Sequence, residues 1–343
     1  MQVLVTGGAG YIGSHTCVQL LEQGHDVVVL DNYSNSKPSV LQRIGELAGR
    51  CVAAERGDVR DGAVLARVLT EHRVEAVLHF AGLKAVGESV TDPLRYYDHN
   101  VQGSLSVLRA MQQVGVPTLV FSSSATVYAP SEVMPLSESA ALGPVNPYGR
   151  SKRMVEQVME DVARAPNTTL SLCALRYFNP VGAHPSGRLG EDPQGIPNNL
   201  MPFVAQVAVG RRPTLQVFGN DYPTPDGTGV RDYLHVQDLA AGHVAALNWM
   251  HGRSGFHVFN LGTGQGQSVL QVLRAFEAAC GRDLPHEVAA RRDGDLAYYW
   301  ADARKAREVL GWQAQLSLAQ MCEDTWRWQS KNPQGYDDGE GTS

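Results

Sequence analysis

The sequence predicts an α/β fold, a doubly wound parallel sheet followed by a smaller mixed α/β domain. Short apolar runs alternate with helical periodicities over the first 180 residues, with brief connections between them. That alternation marks a parallel sheet covered by helices. A glycine cluster stands directly between the first apolar run and the first helical pattern. After Phe178 the alternation gives way to residues 179–199, with four prolines and four glycines. A structureless segment of that length inside a compact domain is usually functional.

The first run is Val3, Leu4 and Val5, a buried strand. Gly7, Gly8, Gly10 and Gly13 follow, satisfying both G-x-x-G-x-x-G and G-x-G-x-x-G. Cys17, Val18, Leu20 and Leu21 then recur at helical spacing, and residues 27–30 form a second apolar strand ending at Asp31. Strand, glycine turn, helix, strand and carboxylate form the context of a dinucleotide fingerprint. The glycines let backbone approach a pyrophosphate, and the helix N-terminus offers it free N–H groups. Asp31 stands where an acid would bond the adenosine ribose and repel a 2′-phosphate, so NAD is expected rather than NADP.

Further strands are expected at 52–55, 74–80, 118–121, 170–175 and 258–261, and helices around 65–69, 93–114, 154–162, 202–210, 269–280, 303–310 and 318–329. Residues 218–229 form a second turn-rich stretch. Ligands in open α/β sheets sit at the carboxyl ends of the strands, so Gly7, Asp31, Asp58, Phe80, Ser124 and Tyr177 should share one crevice. The expected division is a nucleotide domain over 1–180 and a second domain mainly over 181–336. Segments such as 258–262 return to the first, and 337–343 form a polar tail.

Composition narrows the function. With 43% hydrophobic and 19% charged residues, the 343-residue chain can bury a large core. A net charge of −6 without a dense Lys/Arg run argues against a nucleic-acid partner. No apolar stretch approaches the ~20 residues of a membrane span. A strand at Val3 leaves no room for a signal peptide, so a cytoplasmic protein is expected. The five cysteines are scattered, and His235, Asp238 and His243 form no compact ligand pattern, so neither disulfides nor a metal is expected.

Tyr148 and Lys152 form a Y-x-x-x-K at the start of a helix, which places both on one face. A neighbouring ammonium and a cationic nicotinamide would stabilise phenolate, lowering the phenol toward acid–base work near neutral pH. Ser124 lies twenty-four residues before Tyr148, at a strand end, where it could hold the same substrate hydroxyl.

These segments together resemble the extended short-chain dehydrogenase/reductase superfamily, with its Rossmann sheet, and more narrowly the UDP-glucose 4-epimerase family. The resemblance rests on Thr6-Gly-Gly-Ala-Gly-Tyr-Ile-Gly13, Ser122-Ser-Ser-Ala-Thr-Val-Tyr128, Tyr148-x-x-x-Lys152, Arg176-Tyr-Phe-Asn-Pro-Val-Gly-Ala-His184, Gly229-Val-Arg-Asp-Tyr-Leu-His-Val236 and Arg291-Arg-Asp-Gly-Asp-Leu296. It implies inversion at C4 of UDP-galactose and UDP-glucose through a 4-keto sugar, with retained NAD. Tyr148 would move the 4-hydroxyl proton, Ser124 would hold that hydroxyl, and Lys152 would bind the nicotinamide ribose and tune Tyr148. The resemblance assigns Gly7, Gly10, Tyr11, Ile12 and Gly13 to the pyrophosphate turn. Asp31, Asn32, Asn35 and Ser36 go to the adenosine ribose, and Asp58 and Val59 to adenine. Phe80, Ala81, Gly82 and Lys84 line the diphosphate and ribose, and Phe178 the nicotinamide. Asn179, Asn199 and Leu200 go to the diphosphate-sugar, Gln216 and Phe218 to uracil, and Arg231, Arg292 and Asp295 to phosphate and uridine ribose. Bulk at Tyr299 implies poor use of N-acetylated sugars. The family habit implies a homodimer, with the 93–114 and 154–162 helices as candidates for the contact.

Two departures stand out. His99 replaces the asparagine usual in bacterial relatives and is kept as a cofactor neighbour, and 129–146 looks one residue shorter. A dehydratase of the same superfamily needs a carboxylate pair after the catalytic Ser or Thr, whereas Ala125-Thr126-Val127 follows Ser124. A decarboxylase, an oxidoreductase with an exchanging cofactor and a non-catalytic NAD sensor stay open.

Overall fold

The computed structural model describes residues 1–166, 168–292 and 294–337. Its centre is a seven-stranded parallel sheet. The first six strands are β1 (Gln2–Thr6), β2 (Asp26–Asp31), β3 (Ala53–Arg56), β4 (Ala76–His79), β5 (Thr118–Ser122) and β6 (Ser171–Tyr177). Four short strands follow, β7 (Asn179–Val181), β8 (Leu215–Phe218), β9 (Val230–Arg231) and β10 (Tyr233–His235), before β11 (Gly255–Leu261) closes the sheet. The order across it is β11-β6-β5-β4-β1-β2-β3, every neighbour parallel. The chain winds outward from β1 to β3, then crosses back to β4 on the other side of β1. That reversal is the topological switch point beside which such sheets bind ligands.

Between these strands run α1 (Tyr11–Glu22), α2 (Ser39–Ala48), α3 (Gly62–Glu71), α4 (Val86–Thr91), α5 (Pro93–Tyr96), α6 (Gly103–Val114) and α7 (Pro147–Arg164). Helices α8 (Leu200–Ala208) and α9 (Val236–Met250) precede β11. Successive β1 residues point to opposite faces. Val3 and Val5 join a core with Cys17, Leu20, Ile44 and Leu247, while Leu4 joins one with Leu65, Val68, Leu108 and Val155. Both faces of the sheet are therefore covered, which is why its strands read as unbroken apolar runs. Helix α9 packs on α1, so the return to the large sheet after residue 181 includes a helix as well as β11.

A third core lies apart from the large sheet. It joins Met201, Val204 and Ala205 of α8 to Val217, Tyr233, Phe276, Met321 and Cys322. These last residues belong to β8, β10, α10 (Val269–Cys280) and α11 (Leu318–Lys331). The remaining strands are β12 (Gln267–Ser268), β13 (His286–Ala289) and β14 (Tyr298–Tyr299). They pair as β12-β9-β14 and β13-β8, and β7 pairs with β10.

Four sequence expectations are corrected. The helix expected over 93–114 is α5, a π-helical turn at Tyr97–Gln102, and α6. The segment 179–199 begins with a strand, β7, because Asn179 N donates to the Asp232 carbonyl at 3.0 Å. Residues Ala306–Leu310 are π-helical. Asp337 is anchored, its carbonyl accepting from Ser39 Oγ at 3.0 Å. The rest of the expected tail, 338–343, lies outside the described residues. Among the described residues no helix is long and apolar enough to cross a membrane.

Candidate active site

The glycine turn joins the ends of β1 and β4. Gly7 has φ +69°, and a Cβ there would lie 2.7 Å from the Ala81 amide nitrogen. A Cβ on Gly13 would lie 2.4 Å from the Gly7 carbonyl oxygen. Only glycine tolerates both the left-handed angle and the close approach. Gly10 begins α1 without a side-chain cap, and Tyr11 and Ile12 form its first turn. The N-terminal N–H groups therefore face the crevice, a favourable setting for a pyrophosphate. Asp31 closes the turn from the side. Its Oδ2 accepts from Ala9 N at 3.0 Å, and its Oδ1 from Tyr33 N at 2.9 Å and Ser36 Oγ at 3.0 Å. Burial pushes this carboxyl up, and those donors oppose the rise.

Asn32 donates to Asp58 Oδ2 at 3.0 Å, and Arg60 grips both Asp58 oxygens at 2.9 and 2.8 Å. The Arg60 guanidinium holds the Asp58 carboxyl well below its usual range. Val59 beside it is buried, whereas Asn35 is exposed. The Phe80 ring leans on His243, centroids 4.6 Å apart. Two contacts fasten this side to the segment after β6. Tyr11 OH donates to the Gly182 carbonyl at 2.7 Å, and Lys84 Nζ meets Glu191 Oε1 at 2.7 Å. The set fits a dinucleotide: a glycine cradle, an open helix start, and a carboxylate beside both.

The chemistry-bearing side chains meet at the end of β5. Asn146 caps α7 by accepting from Gly149 N at 2.8 Å, with Pro147 in the first turn. That start sets Tyr148 and Lys152 on the buried face, 9% and 5% exposed. Lys152 Nζ donates to the Ser122 carbonyl at 2.7 Å and lies 6.0 Å from the Tyr148 ring centroid. A Cβ on Gly82 would sit 3.8 Å from Lys152 Nζ, so the nucleotide loop adjoins the catalytic group. Ser124 Oγ accepts from Thr126 Oγ1 at 2.9 Å and Thr126 N at 3.2 Å, leaving its own proton to donate outward.

The titration of Tyr148 departs from the sequence expectation. Burial raises the phenol above its ordinary value, and the hydrogen bond with Ser124 opposes the rise. The ammonium that was to lower it is itself desolvated, and burial brings Lys152 from 10.5 to about 8. The residues alone therefore do not deliver a lowered phenol.

His99 Nδ1 contacts the Arg95 carbonyl at 2.9 Å, along its own helix. Asn100 is the residue of that turn facing inward, its Oδ1 accepting from Leu83 N at 2.8 Å and its Nδ2 donating to Ser151 Oγ at 2.9 Å.

Opposite this group, Phe178 and Tyr299 pack 5.3 Å apart, and Tyr299 OH donates to the Ala125 carbonyl at 2.5 Å. Further out, Asp295 bridges Arg231 at 3.7 Å and Arg292 at 2.9 Å, and Arg292 lies 4.9 Å from the Phe218 ring centroid. The two guanidiniums and the carboxylate assigned together to the uridine side thus already form one cluster. Gln216 on β8 donates to Glu287 at 3.1 Å. Asn199 begins α8 exposed, and Leu200 beside it is half-buried.

Sequence reasoning gave no role to Asn100 or Glu191, and it did not pair the Ser122 and Tyr177 hydroxyls, whose contact comes from two strand ends meeting in space. It also missed Glu156, although that residue follows Lys152 by four and Tyr148 by eight.

Residues 3–262 match the family model described as the NAD dependent epimerase/dehydratase family. The UDP-glucose 4-epimerase of Yersinia pestis is 61% identical over 339 residues, covering 98% of this chain and 100% of that protein. The chain belongs to the UDP-glucose 4-epimerase family. Solved structures of the family share its fold throughout. The enzyme from Stenotrophomonas maltophila, with bound NAD and formylated UDP-arabinopyranose, gives a TM-score of 0.95 at 52% identity, over 97% of this chain and 99% of that one. The enzyme from Bifidobacterium longum, in complex with NAD+ and UDP, gives 0.94 at 51%, over 98% and 100%.

Proposed function

We propose that the protein interconverts UDP-galactose and UDP-glucose by inverting C4 of the hexose, with NAD as a resident cofactor. The observation that carries this reading is the meeting of Ser124, Tyr148 and Lys152 beside Gly82, where the nucleotide crevice adjoins the Phe178–Tyr299 wall. NAD held by the Gly7–Gly13 turn, Asp31, Asn32, Ser36, Asp58, Phe80, Ala81, Gly82 and Lys84 supplies a reversible hydride acceptor and a positive charge near Tyr148. Tyr148 takes the 4-hydroxyl proton and returns it, and Ser124 orients that hydroxyl. Lys152 keeps the phenolate form accessible. Asn179, Asn199, Leu200, Gln216, Phe218, Arg231, Arg292 and Asp295 hold the UDP portion while the hexose turns. Ala125 and Val127 after Ser124 are buried and apolar, which disfavours dehydration.

The same reading divides the chain into an NAD-binding part over 1–180 and a mainly UDP-sugar-binding part over 181–336, and places it in the cytoplasm. It also pairs two copies. A surface hollow lined by Tyr97, Val101, Leu105 and Met154, beside exposed Leu94 and Val90, offers an apolar face for a second subunit. Incubating the purified protein with UDP-galactose and no added NAD tests the activity. UDP-glucose should appear, and no product even with NAD added would refute it.

A further inference from the structure

Behind Ser124, Tyr148 and Lys152 lies a buried charge pair that the reaction as proposed leaves unused. Glu156 is fully buried on α7, one turn beyond Lys152, as Lys152 is one turn beyond Tyr148. Its Oε1 accepts from Ser123 Oγ at 2.7 Å and from Arg176 Nε at 2.9 Å, and its Oε2 from Arg176 Nη2 at 2.7 Å. Arg176, 3% exposed, also donates to Tyr128 OH at 3.2 Å, and Tyr128 OH donates to Asn260 Oδ1 at 2.6 Å. One network thus ties the end of β5 to α7, β6 and β11. A fastening of that kind needs no charge, since apolar packing of the same volume is often at least as stable. The carboxylate has a more particular place. Ser123, which it holds, lies between Ser122, whose carbonyl receives Lys152 Nζ, and Ser124.

We propose that Glu156 and Arg176 are a positioning pair: Glu156 provides the negative field that keeps the Lys152 ammonium charged beside Tyr148, and Arg176 limits how much of that field Lys152 feels. This rests on the roles given above to Lys152 and Tyr148. The charged and titratable groups around the pair are Tyr148, Lys152 and Arg153 on α7, Tyr128 and Glu138 after β5, Tyr177 on β6 and Tyr299 on β14. His79 at the end of β4 interacts with Lys152, and burial holds its imidazole down at about 3, neutral at working pH. The Coulombic interaction with Glu156 opposes the burial that lowers Lys152.

The test reads Lys152 directly, so it fails or succeeds separately from the assigned reaction. The full-length, NAD-containing protein is labelled with 13Cε-lysine, and the Lys152 resonance is assigned by its loss in Lys152→Met. Glu156→Gln keeps the shape and loses the charge, and should lower the Lys152 titration midpoint by about one pH unit. The high-pH limb of kcat should move with it. Glu156→Gln combined with Arg176→Met removes both charges and should bring the midpoint back toward wild type. A packing defect would do the reverse, moving the double variant at least as far as the single one. No shift in Glu156→Gln, or the same shift in the double variant, overturns the proposal. If Glu156→Gln does not fold, Arg153→Gln decides. Arg153 Nη1 lies 3.5 Å from Glu156 Oε2 with its side chain 22% exposed, so glutamine there keeps part of the stem and gives its polar end access to solvent. Freeing Glu156 of that cation should raise the Lys152 midpoint by roughly a few tenths of a pH unit, and an unmoved midpoint overturns the proposal.

Discussion

Lys152→Met should make the folded protein more stable at neutral pH while abolishing its catalysis. Burial takes the ammonium from its ordinary 10.5 to about 8, with Glu156 opposing the fall. Between those values the unfolded chain still binds a proton that the folded chain has released, so stability rises with pH across that window. Its contribution is complete above 10.5 and is lost as pH falls through 8. At pH 7 the buried charge therefore destabilises the fold by about 3 kcal/mol. The substitution removes that penalty but also removes the donor to the Ser122 carbonyl, at 2.7 Å in the wild type. Losing that bond costs about 1 kcal/mol. The net gain at pH 7 is about 2 kcal/mol, or about 3 °C in Tm for a chain of this length. By pH 10 the advantage should have shrunk to about zero. Urea unfolding of nucleotide-free wild type and variant at both pH values measures it. A variant less stable at pH 7, or a difference unchanged between the two, refutes the reasoning.

Tyr148→Phe should reduce epimerisation by about 10²–10⁴-fold while NAD and UDP-sugar binding, measured by calorimetry, persist; full activity would remove Tyr148 from the proton chemistry. Gly13→Ala places a Cβ 2.4 Å from the Gly7 carbonyl and should cost about 1–3 kcal/mol. The purified variant should carry less nucleotide by its absorbance ratio, and a wild-type ratio would show that the turn tolerates the methyl. Tyr299, fixed by the Ala125 carbonyl at 2.5 Å, should make UDP-N-acetylhexosamines poor substrates; equal rates on the acetylated and plain pairs would contradict that.

The large sheet was legible because its strands are buried on both faces, so β1, β2, β4, β5 and β6 each read as an apolar run. The short strands were not. β9 is two residues long, and its partners β12 and β14 lie dozens of residues away, so pairing rather than local pattern makes it a strand. Apolar spacing also cannot register the extra residue per turn at Tyr97–Gln102, which accompanies the inward placement of Asn100. Within the site, Ser124, Tyr148 and Lys152 were legible as residue types at useful spacings. The direction of the Tyr148 shift was not, because burial depth belongs to the assembled fold. Nor was the coupling of Arg231 to Arg292 through Asp295, which needs β9 brought beside Arg292 and Asp295 from far along the chain.

The central claim is that C4 of the hexose loses and regains the same hydrogen inside one closed site. UDP-galactose carrying deuterium at C4, converted in ordinary water without added NAD, tests it most directly. The account predicts UDP-glucose that keeps the deuterium at C4. Product with hydrogen from water at C4 would contradict it.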